Sequence, residues 1–208
     1  MRHVLLPAAL LALLPASLAA QPRHVDVTAS AGYYNPIQSL PSYRVGTETH
    51  GAVLKPGFVL NLAAERPVSR SVALRASWLH AHVELTTGNR ADDLRTSDAR
   101  LDALVGDVVL RTRRVAVVHP YLLLGGGVKH YGFDTEGLDD DAEDAFEDGR
   151  WSATAHLGAG VELDVYPIRL VLEASHYGSA YEPIEDDDIR AAWQNDLVYT
   201  VGVRIRAF

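Results

Sequence analysis

The stretch that most constrains this chain is Trp151 to Val165, WSATAHLGAGVELDV. Trp151, Ala153, Ala155, Leu157, Ala159, Val161, Leu163 and Val165 share one parity. Ser152, Thr154, His156, Gly158, Gly160, Glu162 and Asp164 share the other. Side chains of a strand alternate faces with period two, so the segment predicts one extended strand, apolar on one face and polar on the other. A helix would scatter both sets around its circumference and carry two glycines in its interior. The alternation outruns the roughly 5–6 residues of a common soluble strand and exceeds the about 9–11 that cross a bilayer at a tilt. Lipid on one side and a polar lumen on the other account for both faces.

The remaining chain repeats the pattern. HVDVTASAGYY (His24–Tyr34), GAVLKPGFVLNLAAE (Gly51–Glu65), Ser71–Leu85, Asp98–Thr112, PYLLLGGGVKHYGF (Pro120–Phe133), Ile168–Tyr177 and Asp196–Phe208 all alternate. Pro56-Gly57 calls for a bulge, or for the strand to extend beyond the membrane, because a closed sheet has no edge on which to place a proline. The parity blurs near Leu79 and again near Gly106, which reads as a further bulge and a phase slip. About eight strands result, with connections alternately long and short. The fold class is all-β: a transmembrane antiparallel up-and-down barrel, with tight inner turns and extended external loops. Tyr33, Tyr34, Tyr131, Trp151, Tyr177 and Trp193 fall at outer strand ends, and Tyr121, Tyr166 and Phe208 at inner ends, as interfacial girdles require. A secreted lipocalin-like barrel is the rival architecture, with the same alternation turned inside out. Its interior would need large aromatics, whereas the apolar faces here are mostly Ala, Val and Leu.

Residues 1–20, MRHVLLPAALLALLPASLAA, read as a cleaved signal peptide, with Arg2 before a short apolar run and small residues at Ser17 to Ala20. Residues 21–208 form the barrel domain, exported to the outer membrane of a diderm bacterium. The chain has 208 residues, no cysteine and a formal charge of −8. Disulfides and a lipoprotein cysteine are thereby excluded, and the acidic balance argues against nucleic acid as a partner. A mean hydropathy of −0.02 suits a barrel in which only every second residue meets lipid.

At PYLLLGGGVKHYGF, LGAGVELDVYP and the closing VGVRIRAF, the chain resembles the OmpA/OmpX-type eight-stranded outer-membrane β-barrel proteins. The resemblance implies structural, adhesive, host-interaction or small-pore roles, with lipid-modifying enzymes a smaller group. Family members usually end in Phe with apolar residues at alternate positions before it. Here Tyr199, Val201, Val203 and Ile205 lie on the parity opposite Phe208, while Arg204 and Arg206 share it.

Arg75, Asp102, Glu162, Asp164, Arg169 and Glu173, with Arg204, fall on polar faces and are expected inside the lumen. Eight strands leave just enough room for side chains, so paired charges filling the interior are expected, with a narrow conduit as the alternative. The acidic runs Asp134–Asp148 and Glu185–Asp188 carry hard oxygen donors, and Asp139, Asp140, Asp141 and Asp144 are the weak candidates for a divalent ion. Solvated loops are the plainer reading of such like-charge runs. His80 and His82 share a face but have no third ligand nearby in sequence.

In LVLEASHYGSAY, His176 shares the parity of Leu170, Leu172 and Ala174 and is expected to face lipid. The segment weakly resembles the His-Tyr-Ser stretch of the lipid A deacylases, which implies His176, Ser179 and Asp196 as a catalytic set. Position i+2 is Gly178, however, and Ser179 lies on the other parity, so the imidazole would lack its hydroxyl. The reading is a non-enzymatic outer-membrane barrel without cofactor. Its external loops meet an unknown ligand, and its other partners are membrane lipid, lipopolysaccharide and, during biogenesis, the barrel assembly machinery. A lipid A esterase and a narrow porin-like channel are the alternatives.

Overall fold

The structure, a computed structural model, describes residues 24–45, 48–88, 94–112, 117–134, 150–181 and 192–207, with side chains described except at 41–49, 150, 181 and 192. The acidic runs around Asp139, Asp140, Asp141 and Asp144 and at Glu185–Asp188, the leader and Phe208 lie outside the described residues.

All regular structure among the described residues is strand: β1 (Asp26–Pro36), β2 (Leu40–Val45), β3 (Glu48–Leu54), β4 (Gly57–Pro67), β5 (Val72–Gly88), β6 (Arg95–Arg111), β7 (Val118–Phe133), β8 (Arg150–Val165), β9 (Ile168–Tyr181) and β10 (Ala192–Arg206). β2 continues the line of β1, and β3 that of β4, so ten segments build eight staves. Each stave pairs antiparallel with the next, and β1 pairs with β10 to close the barrel. The register also sets the tilt. From Ser30, successive partners Asn61, Leu79, Ala103 and Lys129 lead to Ser152 on β8. In the other direction Gly202 and Val171 lead to Glu162 on the same strand. That ten-residue offset inclines the strands by about 40° to the barrel axis.

The Pro56 bulge is present. Leu54 pairs with Leu85 and Phe58 with His82, so Lys55, Pro56 and Gly57 lie opposite only Val83 and Glu84. Proline, having no N–H to give the ladder, sits where the ladder is already broken. Inward-facing residues change parity across it, from Ala52 and Leu54 to Val59, Asn61, Ala63 and Glu65.

The expected bulge near Leu79 and slip near Gly106 are absent. β5 and β6 pair without a break from Val72↔Leu110 to Thr87↔Arg95. Arg75, Ser77, Leu79, Ala81, Val83 and Leu85 all point inward, and Leu74, Ala76, Trp78, His80, His82 and Glu84 all point outward. What changes is the surroundings of each face. Near the short turns the outside is apolar and the inside charged; farther out, the outside turns polar and the inside apolar. A strand of 17 residues is roughly 56 Å long, or roughly 40 Å along a tilted barrel's axis, against about 30 Å of hydrocarbon. The surplus stands in water and adopts the pattern of a soluble sheet. The two strands correspondingly run past the bounds Leu85 and Asp98 expected from the alternation, β5 to Gly88 and β6 from Arg95.

The exterior below that level is an apolar belt that includes Leu60, Leu62, Leu74, Val108, Leu110, Leu122, Leu124, Leu172 and Val201, all exposed. A soluble barrel would bury this face. Tyr33, Trp151 and Trp193 face outward near the outer ends, and Tyr166 stands 98% exposed at an inner turn. Tyr34, Tyr121, Tyr131 and Tyr177 do not join these girdles; they are buried inside the barrel.

Candidate functional site

The interior is the most elaborately built part of the molecule, and its inner layer draws on every stave. Thr28 (β1), Glu65 (β4), Arg75 (β5), Arg111 (β6), Tyr121 (β7), Glu162 (β8), Glu173 (β9) and Arg204 (β10) converge there. Arg75 Nη1 donates to Glu173 Oε2 at 2.6 Å and its Nε to Glu65 Oε2 at 3.4 Å. Tyr121 Oη donates to the same Glu173 oxygen at 2.7 Å. Arg111 bridges Glu65 and Glu162, reaching the latter at 3.0 Å. Arg204 is paired with Glu162 and, at 3.1 Å, with Glu65, while its Nε donates to Thr28 at 2.9 Å. Buried carboxylates and guanidiniums persist only when paired and hydrogen-bonded, and each here has more than one partner. β5 and β9 lie opposite each other across the barrel, so the Arg75–Glu173 bond spans the lumen.

Farther out, His156 Nδ1 and Asp107 Oδ1 lie 2.7 Å apart, and the imidazole stacks on Tyr177 with 4.4 Å between ring centroids. A second ion pair, Lys129–Asp196, is fully buried. Lys129 Nζ donates to Tyr34 Oη at 3.2 Å, again from opposite walls, and lies 4.5 Å from the centroid of the Tyr131 ring. An apolar cluster that includes Leu79, Val83, Leu85, Leu101, Tyr131, Tyr177 and Val198 fills the interior around and beyond this pair.

The charges read from sequence are distributed as follows. Arg75, Glu162, Glu173 and Arg204 belong to the inner layer. Asp164 and Arg169 pair at 3.0 Å on its rim, with side chains 28% and 36% exposed, and His119 Nε2 lies 2.9 Å from the other Asp164 oxygen. Asp102 is not in the lumen. With no slip at Gly106, its parity faces outward, where its carboxylate accepts from Trp78 Nε1 at 3.1 Å and lies 2.9 Å from His80 Nδ1. Sequence reasoning missed Arg111, Asp107 and Lys129 as lumen groups. Their parity marks them as inward once β6 and β7 are read without interruption.

The His176, Ser179 and Asp196 set is not assembled. His176 faces outward and shares a 2.9 Å hydrogen bond with Asn195 Oδ1. Ser179 and Asp196 face the lumen, the former 3.1 Å from Tyr131 Oη and the latter paired with Lys129. The sheet itself stands between the imidazole and the hydroxyl. His80 and His82 lie outside the barrel beside Asp102 and Asp98. No group of three or more metal-ligating side chains converges among the described residues.

No protein-family model matches the chain, and no curated protein matches it by sequence. Solved structures do. Neisserial surface protein A superposes with a TM-score of 0.59 at 14% identity, over 88% of this chain and 97% of that one. The outer membrane protein AlkL, determined in DMPC lipid bilayers, gives 0.55 at 12% identity, over 93% and 95%. Ail, the attachment invasion locus protein of Yersinia pestis, determined with the heparin analogue sucrose octasulfate, gives 0.46 at 18%, over 87% and 99%. The fold is that of the eight-stranded outer-membrane β-barrels.

Proposed function

We propose that this protein is an outer-membrane barrel with a closed lumen, which acts as a structural and surface-interaction protein through its external connections. The observation that carries the reading is the Arg75–Glu173 bond across the barrel, set in a layer to which all eight staves contribute. Such a layer holds the wall together from inside and leaves conduction no open path. The exposed apolar belt supports the membrane location. The long connections all emerge at one end, where loops on a rigid scaffold carry recognition. Membrane lipid, lipopolysaccharide and the assembly machinery are the partners this location supplies. The separation of His176 from Ser179 removes the support for an esterase.

Fractionation and electrophysiology test this together. The protein is expected in the outer-membrane fraction as a heat-modifiable band, and purified protein in planar bilayers is expected to give no large, stable channels. Recovery in the soluble fraction sinks the location, and sustained conductance sinks the closed lumen in favour of the narrow channel.

A further inference from the structure

The outer surface of β5 to β8 carries a sharp boundary. Trp78, Leu104, Val128 and Ala153 are register partners across these four strands and form one outward apolar row. The next outward row is His80, Asp102, His130 and Trp151, again direct partners. Beyond it lie His82 and Arg100, also paired. The second row lies directly outward of the first on each strand and climbs from His80 to Trp151 with the strand tilt, so it adjoins the head layer of the lipids whose chains cover the belt.

Its chemistry is specific. Asp102 Oδ1 collects Trp78 Nε1 at 3.1 Å and His80 Nδ1 at 2.9 Å. His130 packs on the Trp151 ring at 4.8 Å between centroids, and that indole remains 61% exposed. His82 stands 3.6 Å from Asp98, and Lys55 is matched by Glu84 at 3.3 Å, so the face presents neighbouring donors and acceptors rather than a field of one sign. Imidazoles and a carboxylate suit hydroxyl groups, and an exposed indole suits the apolar face of a sugar ring. The exposed Arg100 adds a donor for phosphate. A phosphatidylglycerol head has neither a ring to stack nor a lattice of hydroxyls. We infer that this face of β5–β8 binds the phosphorylated saccharide head of an outer-leaflet glycolipid, an inference that rests on the outer-membrane reading above.

The test uses refolded protein in nanodiscs of phosphatidylcholine containing equal amounts of lipopolysaccharide and phosphatidylglycerol, with retained lipid counted by native mass spectrometry. Lipopolysaccharide is expected to be retained about tenfold over phosphatidylglycerol, a preference two or three hydrogen bonds supply. The double variant His80→Ala/Asp102→Ala is expected to lose that preference, whereas Asn195→Ala, in the separate His176 cluster on β9–β10, keeps it. If the double variant does not fold, the single exposed change Trp151→Ala carries the same expectation. Equal retention of both lipids, or a folded variant indistinguishable from wild type, overturns the inference. Wild-type protein that fails to enter nanodiscs as a heat-modifiable species overturns the barrel reading instead.

Discussion

Glu162 shows how much one inward side chain holds. Its two oxygens face Arg111 at 3.0 Å, Arg169 at 3.5 Å and the closely paired Arg204. Glu162→Ala leaves Arg111 and Arg204 to share Glu65 as their remaining carboxylate and is expected to destabilise the barrel by about 3–5 kcal/mol, read from denaturant unfolding of the refolded protein. Asp102→Asn, on the half-exposed exterior, is expected to cost under about 1 kcal/mol in the same assay. Gly160 is a residue-scale constraint of another kind. A Cβ there would run into the Tyr121 ring, the one that donates to Glu173. Gly160→Ala is therefore expected to cost about 1–3 kcal/mol by displacing that ring, while Gly106→Ala, which meets nothing within 4 Å, changes stability by no more than about 0.5 kcal/mol.

At the scale of the element, β5 shows that a strand can keep perfect pairing while its pattern inverts. Ala76 and His82 both point outward, one in the belt and the other above it. Substituting each by arginine separates the two surroundings. Ala76→Arg is expected to cost about 2–4 kcal/mol in a bilayer and His82→Arg about 0–1 kcal/mol, because the charge penalty fades toward the interface. Equal costs measured by unfolding in lipid would mean that β5 does not cross the boundary placed between Trp78 and His80. This inversion also explains why the sequence read as irregular near Leu79 and Gly106: a binary pattern interpreted with one solvent outside loses phase wherever the solvent changes. The true irregularity, at Lys55–Gly57, was legible because proline announces it chemically.

Across the whole molecule, charge is unevenly placed. Arg66, Arg70, Arg169 and Arg206 gather toward the short-turn end, whereas the acidic runs Asp134–Asp148 and Glu185–Asp188 belong to connections at the other end. With the short turns in the periplasm, an epitope inserted between Asp140 and Asp141 is expected to be labelled by antibody on intact cells. One inserted at the Tyr166-Pro167 turn is expected to be labelled only after the outer membrane is permeabilised. The reverse labelling pattern would invert the barrel and place the acidic connections inside.

Alternation by itself determined the class of fold, the approximate strand count and the inward placement of Arg75, Glu162, Glu173 and Arg204, because period two is a local consequence of the extended backbone. It also places His176 and Ser179 on opposite faces of their strand. Parity says which face a side chain takes, but not how far along the axis it sits or what lies across the lumen. Only the ten-residue offset of the closed sheet decides that Arg75 meets Glu173, that Lys129 meets Asp196, and that Asp102 joins His80 and His130 at the edge of the belt. Those partners are far apart in the chain, and their meeting is a property of closure, which no single strand contains.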